Sequence, residues 1–70
     1  MEYITNADVR PGDTLLDCTG QPYFRVSEVH EARAKGYIVF YGENLRYRDG
    51  AQTAGGHKSN NVWIRREGGR

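Results

Sequence analysis

The sequence predicts an all-β protein, a single small barrel of about five antiparallel strands. Residues 37–41 form an unbroken run of β-branched and aromatic side chains between Gly36 and Gly42, which is the composition of a buried strand. Shorter alternating segments lie on both sides of this run, separated by turns rich in glycine and proline. The chain has 70 residues, which is the length of one domain.

Composition and length exclude several classes of protein. Cys18 is the only cysteine, so neither an internal disulfide nor a cysteine-rich metal site can form. No apolar run reaches the roughly 18 residues that a membrane span needs. The first residues do not resemble a signal peptide, so we expect a cytoplasmic location and no membrane partner.

The first half of the chain reads as a lead-in over residues 1–8, a turn and two strands. Pro11 and Gly12 have the backbone preferences of the two central positions of a tight turn. A first strand is predicted over residues 14–18. Pro22 lacks a backbone N–H, so it is expected at the start of the next strand.

Residues 23–31 are predicted to be a long strand that contains a β-bulge. Phe24 and Val26 share a face, whereas Val29 is out of phase with them. One extra residue near Ser27 would return Val29 to the inner face and would bend the strand as a small barrel requires. The strand is expected to end in a hairpin loop that closes at Gly36.

The central strand, residues 37–41, is predicted to send alternate side chains to opposite faces. Ile38 and Phe40 are assigned to the core, with Val39 at least half covered. Tyr37 and Tyr41 are expected to point outward.

The next segment, residues 45–48, also alternates, so we predict a strand with Leu45 and Tyr47 inward. Residues 49–61 contain three glycines and no large apolar side chain, which predicts a long loop that is mobile and dispensable for folding.

The last strand is predicted over residues 62–66, with Val62 and Ile64 inward and Trp63 outward. Residues 67–70 are expected to be a frayed tail.

The segment from Val9 to Leu15, with Gly20 and residues 23–29, resembles the opening of SH3-like small barrels, including short proteins of actinobacteria and their phages. The resemblance covers about residues 9–42 and implies one SH3-like domain over residues 1–70. For a phage-encoded chain the location would be the host cytoplasm. The glycine-rich core of the RNA-binding KOW domains is not present, so the resemblance implies no activity.

Charge is distributed unevenly along the chain. Residues 1–32 carry two basic and six acidic side chains, whereas residues 33–70 carry eight basic and three acidic ones. Such asymmetry is typical of a basic binding face. Because the halves of a barrel interleave in space, we favour the interpretation that the surface is mixed.

The aromatic side chains predicted to point outward have arginines on neighbouring strands. Aromatic rings with guanidinium groups between them bind nucleic-acid bases and phosphates, and they also form hot spots for protein partners. A purely structural role, in which arginine stems pack across aromatic rings, remains open. The candidate partner-binding residues are Tyr37, Tyr41, Trp63, Arg46, Arg48, Arg65 and Arg66.

No pattern in the sequence supports catalysis. Cys18 could pair with His30 or His57 as nucleophile and base, but it ends an apolar strand, where a free cysteine is usually a small hydrophobe. Residues 50–59 echo a phosphate-binding loop but lack the Gly-Lys-Ser sequence and the following helix. We therefore expect no enzyme, cofactor, metal or small-molecule substrate.

The sequence favours a non-catalytic module that binds a protein partner, a second copy of the chain included, through the aromatic and arginine face. The alternative is a nucleic-acid-binding barrel that uses the same face with its basic second half. The net charge of only +1 places nucleic acid second, because dedicated binders are usually strongly basic.

Overall fold

The computed structural model describes residues 1–66 and is nearly all antiparallel β, as predicted. Those residues form one six-stranded sheet in the order β1-β6-β2-β3-β4-β5. The frayed tail expected at 67–70 lies outside the described residues. The strands are β1 Glu2–Thr5, β2 Thr14–Leu16, β3 Pro22–Glu31, β4 Tyr37–Asn44, β5 Thr53–His57 and β6 Asn61–Arg65.

The core lies on one face of this bent sheet. Alternation places the inward side chains there, as the period of two predicts, and each of the four central strands contributes. Ile38 and Val62 are partly buried and pack against it. The fully buried apolar side chains of this cluster are Val9, Leu15, Phe24, Val26, Phe40 and Ile64.

The bulge predicted in β3 is confirmed. The pairing of β3 with β4 shifts register between Val26 and Glu28, so Ser27 is the extra residue. Beyond the bulge Val29 lies opposite Phe40 and packs against the core. Bulges increase strand bending, and here the bulge lets one long strand supply inward side chains along its whole length.

The interpretation of residues 1–8 as a lead-in is wrong. Glu2–Thr5 forms β1, which pairs antiparallel with β6, and Asn6–Asp8 makes a 3₁₀ turn. The pairing joins segments about 60 residues apart, so no local pattern in the sequence discloses it.

The strand predicted over residues 45–48 is also wrong. These residues form a bend and a turn, and Tyr47 is 66 % exposed instead of inward. The cause is Asn44, whose side-chain oxygen accepts the backbone N–H groups of Arg46 and Tyr47. Asparagine commonly turns the chain in this way.

The prediction that residues 49–61 have no regular structure is wrong as well. Thr53–His57 forms β5 against β4, with His57 opposite Tyr37 and Thr53 opposite Tyr41. Main-chain pairing with the most strand-like segment of the protein outweighs the low strand propensity of Gly55 and Gly56.

The expected closure into a barrel does not occur within residues 1–66, where β1 and β5 are the two edges of the sheet. Only the 3₁₀ turn connects them. The backbone N–H of Asn6 donates to Asn60 O at 2.8 Å, and its side-chain Nδ2 donates to His57 O at 2.8 Å. The sheet therefore curls toward closure but keeps an unpaired seam between its edge strands β1 and β5.

Candidate functional site

The aromatic side chains expected to form one face lie in two separate places. Tyr37 and Tyr41 are on β4, whereas Trp63 is on β6 with its ring 4.5 Å from that of Tyr3. Strands β2 and β3 lie between them. At a strand spacing of about 4.8 Å, the two patches are at least about 14 Å apart along the sheet.

Arg46 points toward an acidic partner and not toward the tyrosines of β4. Its guanidinium forms an ion pair with Asp17 and lies 5.8 Å from the centre of the Tyr23 ring. A hydrogen bond from the Thr19 hydroxyl, the N–H of Gln21 and the bond from Arg46 hold the pKa of Asp17 far below its ordinary value. The carboxylate is therefore charged at neutral pH and offsets the charge of Arg46.

Arg66, like Arg46, forms an ion pair with an acidic side chain. Its Nε and Nη2 atoms donate to the two oxygens of Asp13 at 2.9 and 2.7 Å. Burial raises the pKa of Asp13, but the bonds from Arg66 and from the Arg10 N–H outweigh it, and the net pKa is lowered. Asp13 is 2 % exposed, so this pair fastens the end of the described chain to the turn before β2.

The other two candidate arginines are exposed. Arg48 lies in the turn after β4, and Arg65 lies at the end of β6 opposite Thr14. The four arginines therefore do not surround Tyr37 and Tyr41 as the sequence suggested.

The outward side of β4 carries a row of apolar side chains. Tyr37 and Tyr41 are 46 % and 44 % exposed, and Val39 lies half-buried between them. Opposite Val39 on β5 is Gly55, which has no side chain to cover it. A Cβ at Gly55 would collide with the Ile38 carbonyl oxygen, so this position admits only glycine.

Both histidines of the chain flank this row. The His30 ring stands edge-on to Tyr41 with centroids 5.3 Å apart, and the His57 ring stands edge-on to Tyr37 at 5.2 Å. His30 is bonded to Glu28 at 2.9 Å. We call this surface the tyrosine face; its residues are His30, Tyr37, Val39, Tyr41 and His57.

Sequence reasoning missed the two histidines because their contacts depend on strand register. His30 lies opposite Val39 only after the β3 bulge, and His57 reaches Tyr37 only because β5 exists. The bulge was predictable, so the position of His30 could have been found; that of His57 could not.

A groove of about 450 Å³ opens on the tyrosine face beside β3. Its lining combines Val39, Tyr41 and His30 with the carboxylates Glu28 and Glu31. Such a groove can hold an apolar side chain and attract a positive charge beside it.

Cys18 is exposed in the turn between β2 and β3, so its interpretation as a small hydrophobe at a strand end is wrong. Over residues 1–66, no three His, Cys, Asp or Glu side chains converge in a group that could hold a metal ion. In the same range, no helix has the length and apolar character needed to cross a membrane.

Comparison of the chain with protein-family models, with curated proteins and with solved structures finds no match.

Proposed function

We propose that this protein is a non-catalytic binding module that engages a protein partner through the tyrosine face. The observation that carries the proposal is the row Tyr37-Val39-Tyr41 on the outer side of β4, with both tyrosines exposed and flanked by two histidine rings. Tyrosine is enriched in protein hot spots, because its ring contributes apolar area and its hydroxyl a hydrogen bond.

The charges around the tyrosine face favour a protein over a nucleic acid. Glu28 and Glu31 line the groove beside Tyr41 and would repel phosphate. Arg46 and Arg66, which a nucleic acid would need, are already paired with Asp17 and Asp13. A partner that offers an apolar side chain beside a lysine or arginine matches this groove better.

The test compares the partner affinity of variants that lack a tyrosine of the tyrosine face with that of a variant that lacks a tyrosine elsewhere. Tyr41→Ala and Tyr37→Ala should each weaken binding to a partner captured from lysate of the source cells by about 2 kcal/mol, roughly thirtyfold. Tyr47→Ala is the matched control, because Tyr47 is 66 % exposed and lies outside the face. Titration calorimetry on each folded variant measures the difference.

Equal loss of affinity in all three variants, or none in Tyr37→Ala and Tyr41→Ala, would refute the tyrosine face as the binding surface. Capture that is abolished by nuclease, with affinity that falls steeply with salt, would instead identify a nucleic-acid partner. Arg48→Ala and Arg65→Ala would then flatten the salt dependence.

A further inference from the structure

The hydrogen-bond pattern of β5 defines its free edge. The Gly42 N–H donates to Gln52 O at 3.1 Å, and the Lys58 N–H donates to Gly36 O at 2.8 Å, at opposite ends of the β4–β5 ladder. In an antiparallel pair such bonded positions alternate along the strand. Ala54 and Gly56 therefore bond to β4, whereas Thr53, Gly55 and His57 direct their backbone groups away from it.

Most of that edge has no partner in residues 1–66. The carbonyl of His57 accepts Asn6 Nδ2 at 2.8 Å. The backbone N–H and C=O groups of Thr53 and Gly55 bond to no other group within the described chain. They are two donors and two acceptors spaced as a neighbouring strand requires.

The edge also lacks the features that usually keep strands from pairing. Natural edge strands carry charged side chains or proline, but β5 reads Thr-Ala-Gly-Gly-His. The opposite edge, β1, carries Glu2 and the bulky Tyr3. Of the two sheet edges within residues 1–66, β5 is the one that has small side chains and no Asp, Glu, Lys or Arg.

A cleft of about 230 Å³ lies beside this edge, between residues of β5 and the start of β6. Its apolar part is formed by Leu15, Phe40 and Val62, and Gly55 and Gly56 form the β5 side. An apolar cavity of about 150 Å³ holds a benzene ring. The cleft therefore has room for one leucine-sized or aromatic side chain.

The rest of the cleft is polar. Asn6, Asn60, Asn61 and Tyr23 line it. Burial raises the pKa of Tyr23, which keeps its hydroxyl protonated and able to donate. A side chain that enters the cleft would thus meet both apolar and hydrogen-bonding groups, as in specific pockets.

From these observations we infer that an extended peptide segment of the partner adds to the sheet as a strand along β5. Its backbone bonds to Thr53 and Gly55, and one apolar side chain enters the cleft. The next side chain points to the other side of the sheet, where the absence of a side chain at Gly55 leaves Val39 and the tyrosine face accessible. The inference rests on the proposed function and specifies how the partner is held.

A second copy of this chain fits the same edge less well. If β5 paired with its own copy, the side chains toward the cleft would be those of Ala54 and Gly56. They are too small to fill about 230 Å³, and the cavity left behind would weaken the pairing. A peptide with a larger residue at that position fills it.

The experiment uses a displayed library of random peptides of about eight residues, an ordinary strand length, selected on the purified full-length protein. With the selected peptide bound, amide exchange measured by NMR should slow at Thr53 and Gly55. Thr53→Pro removes an N–H that β4 does not use and should weaken binding about tenfold, the loss of one good hydrogen bond. Thr53→Val keeps the N–H and should bind as the wild type does.

Three outcomes would overturn the inference. They are selection of no peptide, unchanged exchange at Thr53 and Gly55 on peptide binding, and slowing at those amides that depends on protein concentration alone, which would mean self-pairing. If Thr53→Pro does not fold, the exchange measurement on wild type decides. Loss of binding in Tyr41→Ala without a change at the β5 amides would reject strand addition while leaving the proposed function intact.

Discussion

Asp13 and Arg66 form an ion pair with two hydrogen bonds, in which the carboxylate is buried. The buried carboxylate accepts two bonds from the guanidinium and one from the Arg10 backbone at 2.9 Å. These contacts satisfy a group that would otherwise be costly to bury. They also attach the end of β6 to the turn before β2, which are neighbours in the sheet but distant in sequence.

We expect Asp13→Ala to lower the free energy of unfolding by about 3 kcal/mol, because it leaves the Arg10 N–H and Arg66 without their acceptor. The effect should depend on pH. The folded-state pKa of Asp13 is lowered, so its contribution is fully present above about pH 4 and is lost as the pH falls through the folded pKa. Urea unfolding of both proteins between pH 7 and pH 2 measures this.

The difference between wild type and Asp13→Ala should therefore shrink toward low pH. Thr19→Ala is a useful comparison, because it removes a bond to an exposed carboxylate, that of Asp17, and should change stability far less. A difference that stays constant down to pH 2 would contradict the ionic origin of the Asp13 contribution.

At the scale of elements, the sequence predicted the strands that carry their own pattern. Alternation located β3, β4 and β6, and the phase slip at Val29 located the bulge. The edge strands β1 and β5 were missed because long-range pairing forms them: β1 has only four residues, and β5 contains two glycines.

The sequence predicted the candidate site to the same extent as the strands, that is, only where a local pattern determines it. Local alternation placed Tyr37, Tyr41 and Trp63 outward, but whether they meet depends on strand order. The acidic partners of Arg46 and Arg66 lie 29 and 53 residues away, beyond any local pattern.

The hydrogen-bond pattern of β5 predicts that amide exchange differs between residues bonded to β4 and residues on the free edge. Amide exchange in the free protein should be slow at Ala54 and Gly56, whose N–H groups bond to β4, and fast at Thr53 and Gly55. NMR of the uniformly labelled protein reads all four amides in one experiment. Fast exchange at all four amides would mean that these residues form the mobile loop that the sequence suggested. Slow exchange at all four would mean that another group covers the free edge of β5.

At the scale of the whole molecule, residues 1–66 form a sheet that curls toward closure, and the 3₁₀ turn links its two edges. A chain of this size buries a small core, so each contact across the seam is a large fraction of its stability. Asn6 is 6 % exposed and, together with Ala7, whose N–H donates to Lys58 O at 3.2 Å, it links the 3₁₀ turn to the end of β5 and the loop that follows. Its side chain donates to the end of β5 while its backbone donates to Asn60.

Asn6→Ala should therefore lower the free energy of unfolding by about 0.5–1.5 kcal/mol, the net contribution of one hydrogen bond, since the His57 carbonyl loses the bond from Asn6 Nδ2 but keeps the one from the Asn60 N–H at 3.0 Å. Asn60→Ala is the control, because its exposed side chain makes no hydrogen bond within residues 1–66 and its backbone acceptor is retained; it should change stability by less than about 0.5 kcal/mol. Urea unfolding at neutral pH measures both. Equal stability of Asn6→Ala and wild type would mean that the two edges are independent, and that the curl of the sheet is maintained by the core alone.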